Sequence, residues 1–214
     1  MNGCLLNTLS LVKEQYLMNL LAHAYLSFND PEVLVGNMIS DYVKGRKKLD
    51  YSAGIQKGIT LHRAIDEFTD NHPATDRAKT FFKPAYRLYA GAFVDVVYDH
   101  FLANDSNEFE TAAALQEFAA QTYQALFKYK HIMPEKFAGM LPYMQMQNWL
   151  YHYRFREGTA KSFGGLVKRA AYLSDAETAF EIFEQHYDEL QLCYNEFFTS
   201  LKSFTRNRYY SGTI

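Results

Sequence analysis

Only five prolines, at 31, 73, 84, 134 and 142, interrupt this chain. Between them apolar residues recur at i, i+3, i+4 and i+7, the repeat of an amphipathic helix. AAALQEFAAQTYQALFKY (112–129) is one such run. SDAETAFEIFEQHYDELQLCYNEFFTSLKSF (174–204) is another, opened by Ser174-x-x-Glu177 in the pattern of a capping box. Alternation of period two with β-branched residues is nearly absent. The spacing predicts helices near 18–29, 31–44, 52–70, 75–83, 85–103, 107–129, 134–151, 159–172 and 175–204, with each proline at a turn. The expected fold class is therefore all-α, a single compact multi-helix domain.

At 214 residues, 48% of them hydrophobic and 16% aromatic, the chain has the material for one substantial core. A net charge of −2 argues against a general affinity for nucleic acid or membrane surfaces. No apolar run approaches the ~20 residues that a membrane span requires. Cys4 and Cys193 form no CxxC pair, which fits a reducing compartment, and the expected location is the cytoplasm. Residues 1–17 lack the basic start and small-residue cleavage site of a signal peptide. They read as an N-terminal extension without chemistry, and Met18 opens the helical domain expected over 18–214.

Polar residues inside apolar faces narrow the function. GITLHRAIDEFTDNHP (58–73) sets His62, Asp66 and Asp70 four residues apart, one above the other on a helix face, among Ile59, Leu61 and Ile65. His23 stands among Leu20, Leu26 and Phe28 in NLLAHAYLSF. In GNMISDYVKG (36–45) Asn37 and Asp41 share a face, and the basic run KGRKK (44–48) follows. AFVDVVYDHFL (92–102) is apolar nearly all round, yet Asp95 and Asp99 stack at i, i+4 beside His100. Each feature has a bland counterpart: a core histidine, a helix cap, a solvated basic loop, a pair of acids neutralised elsewhere. Together they amount to carboxylates and imidazoles that would cost several kcal/mol to bury without a charge partner. A divalent cation is such a partner. Nitrogen and oxygen donors without thiolates suit Mn²⁺, Fe²⁺, Mg²⁺ or Zn²⁺. Such a cation serves phosphoester hydrolysis, polarising the phosphoryl oxygen and acidifying a water whose proton a carboxylate takes up. Arg63, beside His62, is placed to pair with a carboxylate or to reach a phosphate.

MNLLAHAYLSF (18–28), GNMISDYVKG (36–45), GITLHRAIDEFTDNHP (58–73) and DVVYDHFL (95–102) resemble, in order and spacing, the bacterial acyl carrier protein phosphodiesterases. The second half agrees more loosely, through Trp149-Leu150, Lys168-Arg169 and HYDELQ (186–191). The resemblance implies an HD-phosphohydrolase-like, Mn²⁺-dependent hydrolase. Its reaction would cleave the phosphodiester between 4′-phosphopantetheine and a serine of holo-acyl carrier protein, leaving the apo-carrier. Carried over by position, His23, Asp41, His62, Asp66, Asp99 and His100 are the candidate metal ligands. Asp70 and Asp95 are candidate supporting or base residues, Arg63 a phosphate contact, and His100 a proton donor to the departing serine oxygen. The order Asp99-His100 reverses the His-Asp dyad for which the HD proteins are named. Acyl carrier proteins are strongly acidic, so Arg46, Lys47, Lys48, Lys168 and Arg169 are the expected docking residues. Two other readings share these residues. One is an HD-like phosphohydrolase of a small nucleotide or other phosphoester, and the other is a non-catalytic helical protein with a structural metal.

Overall fold

The computed structural model describes residues 19–170 and 172–212, so the expected extension over 1–17 lies outside the described residues. Eleven α-helices are present among those described: α1 Leu20–Tyr25, α2 Pro31–Ile39, α3 Ala53–Asn71, α4 Pro73–Tyr86, α5 Ala90–Asn104, α6 Ala112–Lys128, α7 Glu135–Met146, α8 Trp149–His152, α9 Arg156–Arg169, α10 Glu177–Gln185 and α11 Tyr187–Ser211. No strand occurs among them, and no helix is long and apolar enough to cross a membrane.

Local chemistry sets several ends. Asp30 caps α2, its Oδ1 accepting from the N–H groups of Glu32 and Val33 at 3.0 and 3.1 Å, with Pro31 at the first helical position. His72 closes α3 and opens α4, its Nδ1 accepting from Ala74 N–H at 3.2 Å beside Pro73. Thr111 Oγ1 caps Ala114 and starts α6 five residues later than the spacing predicts. The expected Ser174–Glu177 box is replaced by Asp175, whose Oδ1 accepts from Glu177 N–H at 2.8 Å. The long helix expected over 175–204 is two helices, α10 and α11, parted at His186. Pro84 lies within α4 rather than at a turn, and Pro142 lies within α7, inside the helix expected over 134–151. Each is within about a turn of the helix C-terminus, and its missing N–H costs the bond to the carbonyl four residues earlier.

Two contacts hold α1, α2 and α3 in place. α2 and α3 cross at Gly36 and Gly58. A Cβ on Gly36 would lie 2.0 Å from the carbonyl oxygen of Ile55, and one on Gly58 would lie 2.2 Å from that of Val33. Only hydrogen in place of a side chain permits this approach.

The second contact anchors α1 to α5, which is buried along most of its length. Asp99 of α5, wholly buried, accepts from the N–H groups of Leu21 and Ala22 at 3.0 and 2.9 Å. These are donors that the first turn of a helix leaves unpaired. Burial pushes Asp99 up to about 8 against the pull of those two bonds. The expectation of a metal ligand at Asp99 is thereby corrected: this carboxylate caps the helix that carries His23.

Gly58→Ala should push the two helices apart. Overpacking of a core costs about 1–3 kcal/mol, and this clash is with backbone, so a loss at or above the top of that range is expected in urea denaturation. An unchanged midpoint would mean that the helices separate without cost.

Candidate functional site

α1, α2 and α3, with the short 3₁₀ turn Ser40–Tyr42 that follows α2, converge on one cluster. His23 (α1) and His62 (α3) stack with centroids 4.0 Å apart and rings inclined by 17°. Asp66, one turn beyond His62, places Oδ1 3.4 Å from His23 Nε2 and Oδ2 3.4 Å from His62 Nε2. Asp41 Oδ1 is 3.2 Å from His62 Nε2. One nitrogen from each imidazole and one oxygen of Asp66 all lie within 4.8 Å of one another.

The tautomer of His23 is fixed by its neighbours. Asn37 Nδ2 donates to the carbonyl of His23 at 2.8 Å and to Ser27 Oγ at 3.2 Å, which leaves Asn37 Oδ1 to face His23 Nδ1 at 2.7 Å. Nδ1 therefore carries the hydrogen. Burial, then the charge of His62, lowers the pKa of His23, so Nε2 of the neutral ring turns a bare lone pair toward the carboxylate of Asp66. A lone pair facing an anion is repulsive unless a cation lies between them. Burial opposes protonation of His62 too, but Asp66 and Asp41 outweigh it and raise His62 to about 10. Burial likewise opposes ionisation of Asp66, yet the imidazoles hold it well below the usual carboxylate range. His62 Nδ1 is buried and finds no hydrogen-bond partner among the described residues. Two imidazole nitrogens and carboxylate oxygens, one imidazole held in the ligating tautomer by a hydrogen bond behind it, fit a divalent cation.

The cluster opens into a cavity of about 430 Å³ lined by both acidic and basic side chains. Asp70 and Asp95 are among the acids. Asp70 is neutralised from within the chain: Lys79 Nζ lies 3.6 Å from its carboxylate and donates to its carbonyl at 3.1 Å. Asp95 accepts from Asn19 Nδ2 at 2.8 Å. Burial, reinforced by the charges of Asp70 and Asp66, raises Asp95 to about 7 although the Asn19 bond opposes it. Lys79, Lys83 and Arg87 line the same cavity, Lys79 beside Asp70 and Asp76. These three are four residues apart along α4 and its end, so they form one stripe. Arg87 adopts φ 47° and ψ −113°, a strained backbone for any residue but glycine.

Other expected residues lie elsewhere. His100 points away from the cluster, its Nδ1 facing the carbonyl of Tyr153 at 2.8 Å and its Nε2 the hydroxyl of Tyr187 at 3.0 Å. Burial lowers its pKa to about 4. Arg63 is exposed and donates to the carbonyl of Val43 at 3.0 Å, and it is not among the residues lining the cavity. Arg46, Lys47 and Lys48 sit on the 3₁₀ turn Gly45–Asp50, with Lys48 bonded to Thr60 of α3 at 3.0 Å. Lys168 and Arg169 end α9.

The sequence model of the family described as acyl carrier protein phosphodiesterase matches residues 18–201. The chain belongs to that family. It is 30% identical to an acyl carrier protein phosphodiesterase of Photorhabdus laumondii over 89% of its own length and 96% of the relative's. A phosphodiesterase of that name from Klebsiella pneumoniae is 29% identical, with 89% and 99% covered. One from Yersinia pestis is also 29% identical, with 86% and 95% covered. No solved structure matches the chain.

Within this family member, Lys79, Lys83 and Arg87 are the functional candidates that the spacing of histidines and acids did not single out. The 79, 83, 87 stripe is visible in the sequence as a cation every fourth residue. The sequence set Asn37 on one face with Asp41, but its role behind His23 rests on a contact across helices. Asn37→Ala should weaken the binding of a divalent cation about 10–100-fold, the usual effect of removing the hydrogen bond behind a metal-binding imidazole, as read by calorimetric titration. Equal affinity would show that His23 does not depend on the bond behind it.

Proposed function

We propose that this protein hydrolyses the phosphodiester linking 4′-phosphopantetheine to the serine of holo-acyl carrier protein, releasing the apo-carrier. The observation that carries the reading is a His23–His62–Asp66 donor set in one cavity with Lys79, Lys83 and Arg87, in a chain of the acyl carrier protein phosphodiesterase family. His23, His62, Asp66 and Asp41 would hold the cation, with Mn²⁺ the first choice from the resemblance. When bound, it supplies Lewis-acid activation of the phosphoryl group and of a water.

The chain's own residues do the rest. Asn37 holds the His23 ring, and Asp41 orients His62. Lys83 and Arg87, which line the same cavity, meet the charge of the phosphodiester, the part expected of Arg63. The serine oxygen leaves as an alkoxide and needs a proton. Asp95, raised to about 7 and lining the cavity, is the donor in this scheme, in place of His100. The acidic carrier docks on Arg46, Lys47 and Lys48 and on Lys168 and Arg169, all at the surface or its edge.

Intact-mass spectrometry of holo-carrier incubated with the protein and Mn²⁺ tests the reaction. Loss of the phosphopantetheine mass is expected with wild type and not with Asp66→Ala or in EDTA. An unchanged carrier mass with folded, Mn²⁺-loaded protein would shift the reading to a small phosphoester.

Asp95 as acid must be protonated, so kcat should fall as pH rises through about 7. Asp95→Asn should lower kcat by about 10²–10³-fold and remove that limb; a profile of unchanged shape would assign the proton to another group. Arg46→Glu combined with Lys47→Glu and Lys48→Glu should raise KM for the carrier, most at low salt, with kcat nearly kept. A fall in kcat at constant KM would refute docking there.

A further inference from the structure

Beside the cavity that holds His23, His62 and Asp66 lies another of about 390 Å³. Its floor is Leu20, Val96 and Tyr153, with Trp149 on the flank. Its far wall is the face of α9 on which Gly158, Ser162 and Gly165 follow at helical spacing. Two strips of chain, each carrying one residue of either lining, form a seam between the cavities. Asn19 and Asp95 line the first, and the residues next to them in sequence, Leu20 and Val96, line the second. The Asn19–Asp95 hydrogen bond joins the two strips of chain that form this seam. Asn19 is only 7% exposed, and its Oδ1 has no hydrogen-bond partner among the described residues.

The linings differ in chemistry. Asp41, Asp66, Asp70, Asp76 and Asp95 all border the first cavity. No carboxylate borders the second, whose polar side chains are chiefly donors: Lys161, Arg169, Ser162 and His152. A trough rich in donors, floored by apolar side chains and flanked by an indole, takes a chain that presents carbonyl and hydroxyl oxygens along an apolar skeleton. Gly158 lets α9 pack directly on the segment before it, since a Cβ there would strike the carbonyl oxygen of His152 at 1.9 Å, whereas the wall is open at Gly165. A Cβ on Gly165 would meet only the Arg169 guanidinium, at 3.3 Å.

We propose that this second cavity receives the pantetheine arm of the substrate while the phosphate it carries occupies the first; the inference rests on the function proposed above. The order of groups in the arm matches the order of residues along the route. Next to the phosphate-bearing carbon comes a gem-dimethyl carbon, and immediately past the seam come Leu20 and Val96. Beyond it follow a hydroxyl and two amides, which the donors of α9 and the loop before it can meet. Two adjoining cavities of opposite lining thus read the two ends of one ligand, charge in one and an uncharged amide chain in the other. A site that recognises the arm as well as the diester separates holo-carrier from phosphodiesters that lack the arm.

Filling the trough tests this. Gly165→Ala and Gly165→Leu introduce side chains of increasing size at a helical position where only a flexible guanidinium is near. Gly164→Leu is the control, since a Cβ there meets nothing within 4 Å and Gly164 does not line the cavity. For each protein, kcat/KM is measured for holo-carrier and for bis(4-nitrophenyl) phosphate, with melting temperatures to confirm folding. The ratio of the two should fall in proportion to side-chain size, by about tenfold or more for Gly165→Leu, and stay at the wild-type value in Gly164→Leu. Free pantetheine should inhibit carrier turnover by wild type and inhibit Gly165→Leu more weakly. Equal ratios in all four proteins would overturn the arm site while leaving the proposed reaction standing. Wild type that cleaves the small diester but never the holo-carrier would overturn both.

Discussion

The crossing of α2 and α3 at Gly36 and Gly58 is the constraint on which the site depends. Two backbones in contact there bring Asp41, beyond the crossing on one strip of chain, against His62 on the other, and Asn37, next to Gly36, against His23 of α1. A Cβ at either glycine would strike the opposing backbone and force the two helices apart. α1 then closes the cluster from a third direction. Its first turn is held by the buried carboxylate of Asp99 on the central helix, so the position of His23 is tied to the core rather than to the surface.

The cluster is electrostatically incomplete in a way that has chemical meaning. Burial keeps His23 neutral, Asn37 takes its only hydrogen, and the remaining lone pair faces a carboxylate. A protein that needed only a stable core would fill this space with apolar side chains, since buried ionic groups are weak stabilisers at best. Two of the buried polar atoms without a partner among the described residues, His62 Nδ1 and Asn19 Oδ1, and the strained backbone of Arg87 border the site. Such features persist where function demands them and the rest of the fold is stable enough to carry them.

Much of the fold was legible because helical periodicity is a local property. The helix expected over 52–70 is found at Ala53–Asn71, and α6 ends at Lys128 against an expected 129. Errors came where a local rule had a competitor. Asp175 displaced Ser174 as the cap, His186 broke a run whose pattern was continuous, and two prolines were accommodated near helix ends. His23, His62, Asp66 and Asp41 were also legible, as polar residues that a core would reject without a partner.

What the sequence by itself determined was the class of the fold and the inventory of donors: spacing four residues apart stacks groups on a helix face whatever surrounds that helix. Only the tertiary structure decided which faces meet. α5 runs through the core, so Asp95, Asp99 and His100, separated by a few residues, each face a different neighbour. Asp95 faces the cavity, Asp99 the first turn of α1, and His100 the carbonyl of Tyr153 and the hydroxyl of Tyr187. Periodicity fixes the angle between side chains on one helix, but the identity of the opposing surface depends on packing between segments distant in sequence. For the same reason the cationic stripe of Lys79, Lys83 and Arg87 became part of the site only when α4 folded back against α5 and brought it into the lining of the same cavity as the histidines.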